Sequence, residues 1–243
     1  MPTAIIVNGA NGKMGVAACE MLTANPEFNL VGRLCRSDDL SAAIKRTQAS
    51  IVVDLTRADC VYTNTLNIIN AGAHPIIGTS GLTLDQRNDL IDRCTSLKLG
   101  GLIIPNFSIS MVLMMRFAEE AARILPDVEI IEAHHQQKLD SPSGTAINTA
   151  EKIAAARATA KKSNHETQIL ACARGAEYQG IHIHSIRLPG ILAQQQVIFG
   201  SSGETLTLTH NTLDRNAFMP GLLLACRKVT ALNTLYNGLE HIL

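Results

Sequence analysis

The stretch Glu132-Ala133-His134-His135-Gln136-Gln137-Lys138-Leu139-Asp140-Ser141-Pro142-Ser143-Gly144-Thr145-Ala146 concentrates the groups best suited to acid–base work. Imidazole titrates near neutrality, so His134 and His135, at the end of a strand, can donate a proton or contact an oxygen or nitrogen. Lys138 adds a compact positive charge. Ser143, Gly144 and Thr145 stand where a helix begins, and the Ser143 and Thr145 hydroxyls and Gly144 and Thr145 amides can converge on an anion. Together these groups suit a small carboxylated substrate. Plainer roles stand beside these: Ser143 as a helix N-cap alone, and each histidine as a structural residue. Adjacent strand residues point to opposite faces, so a metal shared by His134 and His135 is awkward. His182 and His184 share a face, but no third ligand is fixed, and no metal is assigned.

A second constellation lies at the start of the chain. An apolar run, Ala4 to Asn8, ends in Gly9-Ala10-Asn11-Gly12-Lys13-Met14-Gly15, and Met14, Ala17, Ala18, Met21 and Leu22 then mark one face of a helix. Glycines between a strand and a helix let backbone approach a pyrophosphate, which the helix N-terminus attracts. The spacing is GxxGxxG, with Asn11 where the commoner pattern has its second glycine, and a tight ligand-free turn is the alternative. The strand and helix around it favour a dinucleotide. An acidic residue about 20 positions on would bind a ribose hydroxyl. That count reaches Cys35, flanked by Arg33 and Arg36, which favours the 2′-phosphate of NADPH and leaves NADH possible. Two solvated arginines are the alternative.

These groups need elements to hold them. Leu30–Leu34, Ser50–Leu55, Pro75–Gly78 and Leu102–Ile104 read as strands. Ala58–Ala71 and Thr83–Leu97 read as helices, with Thr83 an N-cap. Such alternation predicts an α/β, Rossmann-like, doubly wound parallel sheet. Further on, Ile109–Leu125 and Thr145–Ala158 read as helices, and Val128–Ala133, Gln168–Ala173, Ile181–Leu188, Gln195–Phe199 and Thr205–His210 as strands. Lys161-Lys162-Ser163-Asn164 reads as a loop, and Leu213–Leu235 as helix. The expectation is a dinucleotide-binding domain over 1–107, completed by a C-terminal helix, 214–243. A smaller α+β substrate and oligomerisation domain, 108–213, would carry a mostly antiparallel or mixed sheet.

Composition narrows the class. Hydrophobic residues make up 46% of 243, enough for a real core. Lys and Arg total 21 against 21 acidic residues, and aromatics are 3%, so neither the basic excess nor the stacking platforms of a nucleic-acid binder are present. No apolar run is long enough for a membrane helix. The N-terminus lacks signal-peptide character, and the six cysteines form no CxxC pair. The expectation is a cytoplasmic enzyme that binds neither nucleic acid nor membrane.

The Glu132–Ala146 string resembles the signature of the dihydrodipicolinate reductase family. Gly9–Gly15, Gly78-Thr79-Ser80-Gly81, Asn106-Phe107-Ser108, Arg174-Gly175, Gly180-Ile181-His182, Gly203-Glu204, His210, Arg215 and Phe218 extend the likeness over nearly the whole chain. The resemblance implies NAD(P)H-dependent reduction of a cyclic imine dicarboxylate, 4-hydroxy-tetrahydrodipicolinate, in diaminopimelate and lysine synthesis, by a homotetramer joined through second-domain sheets. It implies His134 as general acid/base and Lys138 as proton donor or charge partner. His135, Gly144 and Thr145 would hold the dicarboxylate. Gly9, Ala10, Asn11, Gly12, Lys13 and Met14, with Gly78, Thr79 and Ser80 and with Ile104, Pro105, Asn106 and Phe107, would line the cofactor. Arg36 matches the 2′-phosphate position. Cys35 departs from the family's frequent acidic residue, and the segment after Arg36 is shorter than usual. A nucleotide-sensing regulator without catalysis and a His-ligated metal hydrolase are the rival readings.

Overall fold

The computed structural model describes residues 1–157, 167 and 169–243. The chain forms two compact units, one of Met1–Ile109 with Arg215–Leu243 and the other of Ser110–Asp214.

The first unit is built on β1 (Thr3–Asn8), β2 (Phe28–Leu34), β3 (Ile51–Asp54), β4 (His74–Ile77) and β5 (Gly101–Ile103), with α1 (Lys13–Ala24), α2 (Leu40–Thr47), α3 (Val61–Asn70) and α4 (Leu84–Leu97) between them. α5 (Ile109–Ala122), β6 (Asp127–His134), α6 (Gly144–Ala156), β7 (Ala176–Tyr178), β8 (Ile181–Arg187), β9 (Ala193–Ser201) and β10 (Glu204–Thr212) follow, and the chain then returns to the first unit with α7 (Met219–Lys228) and β11 (Leu235–Asn237). The first sheet is parallel throughout, in the order β11-β5-β4-β3-β1-β2. Its central strands read as unbroken apolar runs, and Ile5, Ile6, Val7, Ile51, Val52, Val53, Ile76 and Ile77 are fully enclosed, as helices on both faces require. Thr83 caps α4 in a reciprocal capping box with Gln86, as its position predicts.

The second sheet is mixed, in the order β10-β9-β6-β8-β7. β6 pairs antiparallel with β9 and parallel with β8. Ile130, Val197, Phe199 and Ile183 form its buried face, and Gln195 on that face donates to the Thr149 hydroxyl of α6 at 2.8 Å.

Several elements differ from the sequence reading. The helix expected over Leu213–Leu235 is broken: a 3-10 turn (Arg215–Phe218) precedes α7, whose start carries Pro220, and a second (Val229–Ala231) leads out to β11, a sixth parallel strand beside β5. Close packing holds α7 in place, since a Cβ on Gly221 would stand 1.9 Å from the Phe107 carbonyl oxygen. Ile169–Ala173 is bend and turn rather than strand. Cys172 takes a left-handed φ of 59°, incompatible with a pleated strand, and Ile169 and Leu170 are exposed. Gln168, Ala158 and the Lys161–Asn164 loop lie outside the described residues. α2 and β7 have no counterpart in the sequence reading. Among the described residues no helix is long and apolar enough to cross a membrane.

Candidate active site

In the first unit, every segment expected at a cofactor falls at the C-terminal edge of the parallel sheet. Gly9–Met14 follow β1, Arg36 follows β2, Gly78–Ser80 follow β4 and Ile104–Phe107 follow β5. β1 sits between β2 and β3, so the strand order reverses there, the place where doubly wound sheets take their ligands. A cleft of about 560 Å³ opens at this edge, lined by Gly9, Asn11, Gly12, Arg36, Asp38 and Arg57 among others.

The glycine loop is shaped by close approach. Gly9 has φ +86°, and a Cβ there would meet the Leu55 carbonyl oxygen at 2.5 Å. A Cβ on Gly15 would stand 2.1 Å from the Gly9 carbonyl oxygen and 2.8 Å from Ala10 Cα, all backbone that cannot yield. The N-cap of α1 is Gly12, so no side chain caps the helix and its first-turn amides are left for an anion. The cradle therefore fits a dinucleotide pyrophosphate. Gly15→Ala is expected to cost about 1–3 kcal/mol of stability through backbone displacement and to weaken dinucleotide binding. Thermal melting and dinucleotide titration check this, and an unchanged melting point would show that α1 can move.

Not every expected cofactor residue presents its side chain to the cleft. Ala10, Ile104 and Phe107 are buried, and the Phe107 ring packs where a Gly78 Cβ would stand, so only the backbone of these positions is available to a ligand. Asn106 Oδ1 accepts from Ser108 N at 2.9 Å. Arg33 turns back to the Thr23 hydroxyl of α1 at 3.1 Å, while Arg36 is exposed at the cleft. Beside Cys35 stands a carboxylate the sequence reading passed over: Asp38 accepts from the Cys35 amide at 2.6 Å and shares the cleft with Arg36.

In the second unit, β6 and the loop after it carry the groups expected to do acid–base work. Glu132 and His134 are two apart on one strand and share a face. His134 Nδ1 lies 2.6 Å from Glu132 Oε2, which fixes the proton on Nδ1 and leaves Nε2 as the outward nitrogen. Arg187, level with His134 on the neighbouring β8, forks onto the same carboxylate: Nη1 donates to Oε2 at 2.9 Å and Nη2 to Oε1 at 2.8 Å. The Ser143 amide adds a fourth donor at 3.3 Å. Glu132 is fully buried. Burial alone would push its carboxyl up, but the hydrogen bonds from His134, Arg187 and Ser185 outweigh it and bring it down to about 2.

Arg187 also ties the loop that follows, donating from Nη2 to the Asp140 carbonyl at 2.7 Å. Lys138 Nζ donates to both Asp140 oxygens at 2.8 Å, and this contact holds the Asp140 carboxyl below its usual range. His135 lies just past the strand, and its Nδ1 is buried without a partner among the described residues. Ser143 is buried and caps α6, its Oγ accepting from Ala146 N at 3.2 Å, a bond that uses a lone pair of the hydroxyl and not its proton. Gly144 is exposed and a Cβ there would meet nothing within 4 Å, so α6 opens onto space at its first residue, with Thr145 half-buried beside it. His134, His135, Lys138, Gly144 and Thr145 thus belong to one strand end, one loop and one helix start. His182 and His184 share a face of β8, and His184 Nε2 contacts Glu129 at 2.7 Å. Glu132 and Arg187 were missed as site residues. A glutamate two before a strand-end histidine was a readable signal, while an arginine on another strand had none.

A parallel nucleotide-type sheet with a glycine cradle, joined to a mixed sheet carrying a histidine–lysine loop, defines a two-unit oxidoreductase of the dinucleotide-dependent kind. Comparison with known proteins specifies it. The family models described as dihydrodipicolinate reductase, N-terminus and C-terminus, match residues 3–107 and 110–243. The chain belongs to the dihydrodipicolinate reductase family. It is 56% identical to the 4-hydroxy-tetrahydrodipicolinate reductase of Legionella pneumophila (strain Philadelphia 1) over 243 residues, covering 100% of both. It is 50% identical over 239 residues to that of Coxiella burnetii (strain RSA 493), covering 98% of each. The dipicolinate-bound dihydrodipicolinate reductase from Paenisporosarcina sp. TG-14 superposes with a TM-score of 0.90 at 37% identity over 100% of both chains. An amine dehydrogenase from Mycobacterium smegmatis shares the fold alone, with a TM-score of 0.69 at 12% identity over 97% of this chain and 95% of that one.

Proposed function

We propose that this protein catalyses the NAD(P)H-dependent reduction of 4-hydroxy-tetrahydrodipicolinate to tetrahydrodipicolinate in diaminopimelate and lysine synthesis. The observation that carries the chemistry is the buried Glu132 carboxylate holding His134 by Nδ1, with Nε2 turned outward beside a lysine loop and an open helix start.

Residues 1–107 with the C-terminal segment serve as the dinucleotide domain, and 108–213 as the substrate and tetramerisation domain. Gly9–Met14 take the pyrophosphate, Gly78–Ser80 and the Ile104–Phe107 backbone the nicotinamide end, and Arg36 the 2′-phosphate. Bound reduced nicotinamide supplies the hydride to the substrate ring. The Gly144 and Thr145 amides, with His135, bind the dicarboxylate by charge-assisted hydrogen bonds at a helix N-terminus. Loss of water, taking the 4-hydroxyl group and a ring proton, leaves the unsaturated ring imine. Negative charge developing on that ring as hydride arrives is quenched by a proton from His134 Nε2 or Lys138 Nζ, and the Glu132 carboxylate holds the imidazole in place through Nδ1. The enzyme works in the cytoplasm as a homotetramer.

NADPH is the favoured donor, because Arg36 stands at the cleft and Cys35 replaces the usual acidic residue. The test supplies substrate in situ from the preceding synthase and follows loss of reduced-nicotinamide absorbance with NADPH and NADH side by side. Faster oxidation of NADPH is expected. Comparable rates would keep the reductase and remove the cofactor preference, with Asp38 then the carboxylate serving NADH. No oxidation of either by folded protein would leave the nucleotide-sensing reading.

A further inference from the structure

Asp54 ends β3 and is fully buried. Its carboxylate accepts five hydrogen bonds. Oδ2 takes Asn8 Nδ2 from the end of β1 and Asn64 Nδ2 from α3, both at 2.9 Å. Oδ1 takes the Thr56 amide at 3.2 Å, the Thr56 hydroxyl at 2.7 Å and the Thr79 hydroxyl at 2.9 Å. All five donors are neutral, whereas buried charges are ordinarily paired with a cation. One anion thus ties together the C-terminal ends of β1, β3 and β4 and the first turns of α3. Asn8, Thr56 and Asn64 are also walls of the 560 Å³ cleft.

Donation to Asp54 decides what these groups offer a ligand. A hydroxyl has one proton and two lone pairs. Thr79 gives its proton to Asp54, so Oγ1 is left as an acceptor. Thr56 is committed in the same way, and its oxygen already accepts from Asn64 Nδ2 at 3.1 Å. An oxygen that can only accept suits a sugar hydroxyl or a carboxamide N–H and disfavours a phosphate oxygen.

We propose that Asp54 is the positioning residue of the cofactor site, holding the Thr79 hydroxyl as an acceptor for a hydroxyl or amide donor of the dinucleotide. This inference rests on the cofactor reading given under Proposed function, and takes it to the atom that selects sugar or amide over phosphate at this edge. Asp54 acts through Thr79 and need not touch the ligand.

The test measures dissociation constants of NADPH and NADH by nucleotide fluorescence, of dipicolinate by calorimetry, and melting temperature. Asp54→Asn puts an amide N–H₂ among groups that donate. It is expected to raise both dinucleotide constants at least about tenfold, the effect of one mispaired buried polar group, with dipicolinate binding unchanged. Thr79→Val is expected to weaken both dinucleotides similarly, and Thr79→Ser to restore binding. Should Asp54→Asn fail to fold, the Thr79 pair decides. Unchanged dinucleotide constants in Thr79→Val overturn the inference. So does an Asp54→Asn protein that folds and binds dinucleotide like the parent, or one that loses dipicolinate in step with dinucleotide. Failure of the unsubstituted protein to bind either dinucleotide overturns the cofactor reading itself.

Discussion

Lys138→Ala and His134→Ala are each expected to lower turnover by about 10²–10⁴-fold, the usual worth of a positioned proton donor, while the protein stays folded. Neither side chain belongs to the core: His134 is 17% and Lys138 21% exposed. Loss of Lys138 leaves behind only Asp140, whose side chain is 62% exposed and readily solvated. Loss of His134 leaves Glu132 still held by both Arg187 nitrogens and the Ser143 amide. The deficit should therefore lie in kcat rather than in folding. Steady-state kinetics at saturating NADPH, with circular dichroism alongside, provide the check. Near-normal turnover in both variants would defeat the assignment of this loop to catalysis.

Glu132 is expected to behave in the opposite way, with its largest effect on stability and on the response to acid. Glu132→Ala leaves the Arg187 guanidinium without its carboxylate, and breaking a buried ion pair from one side costs about 3–5 kcal/mol. The folded carboxyl sits at about 2 against an ordinary 4.5. That difference corresponds to roughly 3 kcal/mol of pH-dependent stability. Because the folded value is the lower one, the unfolded chain binds the proton first as pH falls. The contribution is complete above about pH 4.5 and is lost as pH descends through about 2. Urea unfolding midpoints across that range should fall steeply in the parent and less so in Glu132→Gln. Parallel profiles would show that other carboxyl groups dominate acid unfolding.

Much of this architecture is legible without coordinates. Unbroken apolar runs such as Ile5–Val7 and Ile51–Val53 mean strands covered on both faces, and the glycine loop leading into Met14, Ala17, Ala18, Met21 and Leu22 marks a β–loop–α crossing. The histidine–lysine loop is visible because its residues are contiguous and chemically dense. The missed parts share a cause. α2 has eight residues with Leu40, Ala43 and Ile44 buried and Asp39 as its cap, but so short a helix stands on packing rather than on its own propensity. β7 and β11 are three residues each, too short to show a pattern; β7 stands only by its hairpin with β8, and β11 draws its hydrogen bonds from β5, far away in sequence. Arg187 and Glu132 are 55 positions apart, and only the parallel pairing of β6 with β8, which sets Arg187 level with His134, brings them within reach. The apolar Ile169-Leu170 pair misled because alternation says nothing of a left-handed residue two positions on.

The placement of β11 bears on how the protein is made. Residues 235–237 form the outermost strand of the first sheet, yet they leave the ribosome after the whole of Ser110–Asp214. Domains commonly fold in the order of their synthesis, N-terminal first. Here that order is inverted: the inserted unit has all its strands before the interrupted one has its last. A ribosome-bound nascent chain ending before Leu235 would thus carry β5 as an unpaired edge, open to mispairing with other chains. Completion of the glycine-loop unit is therefore a late, post-insertion event in the life of each molecule.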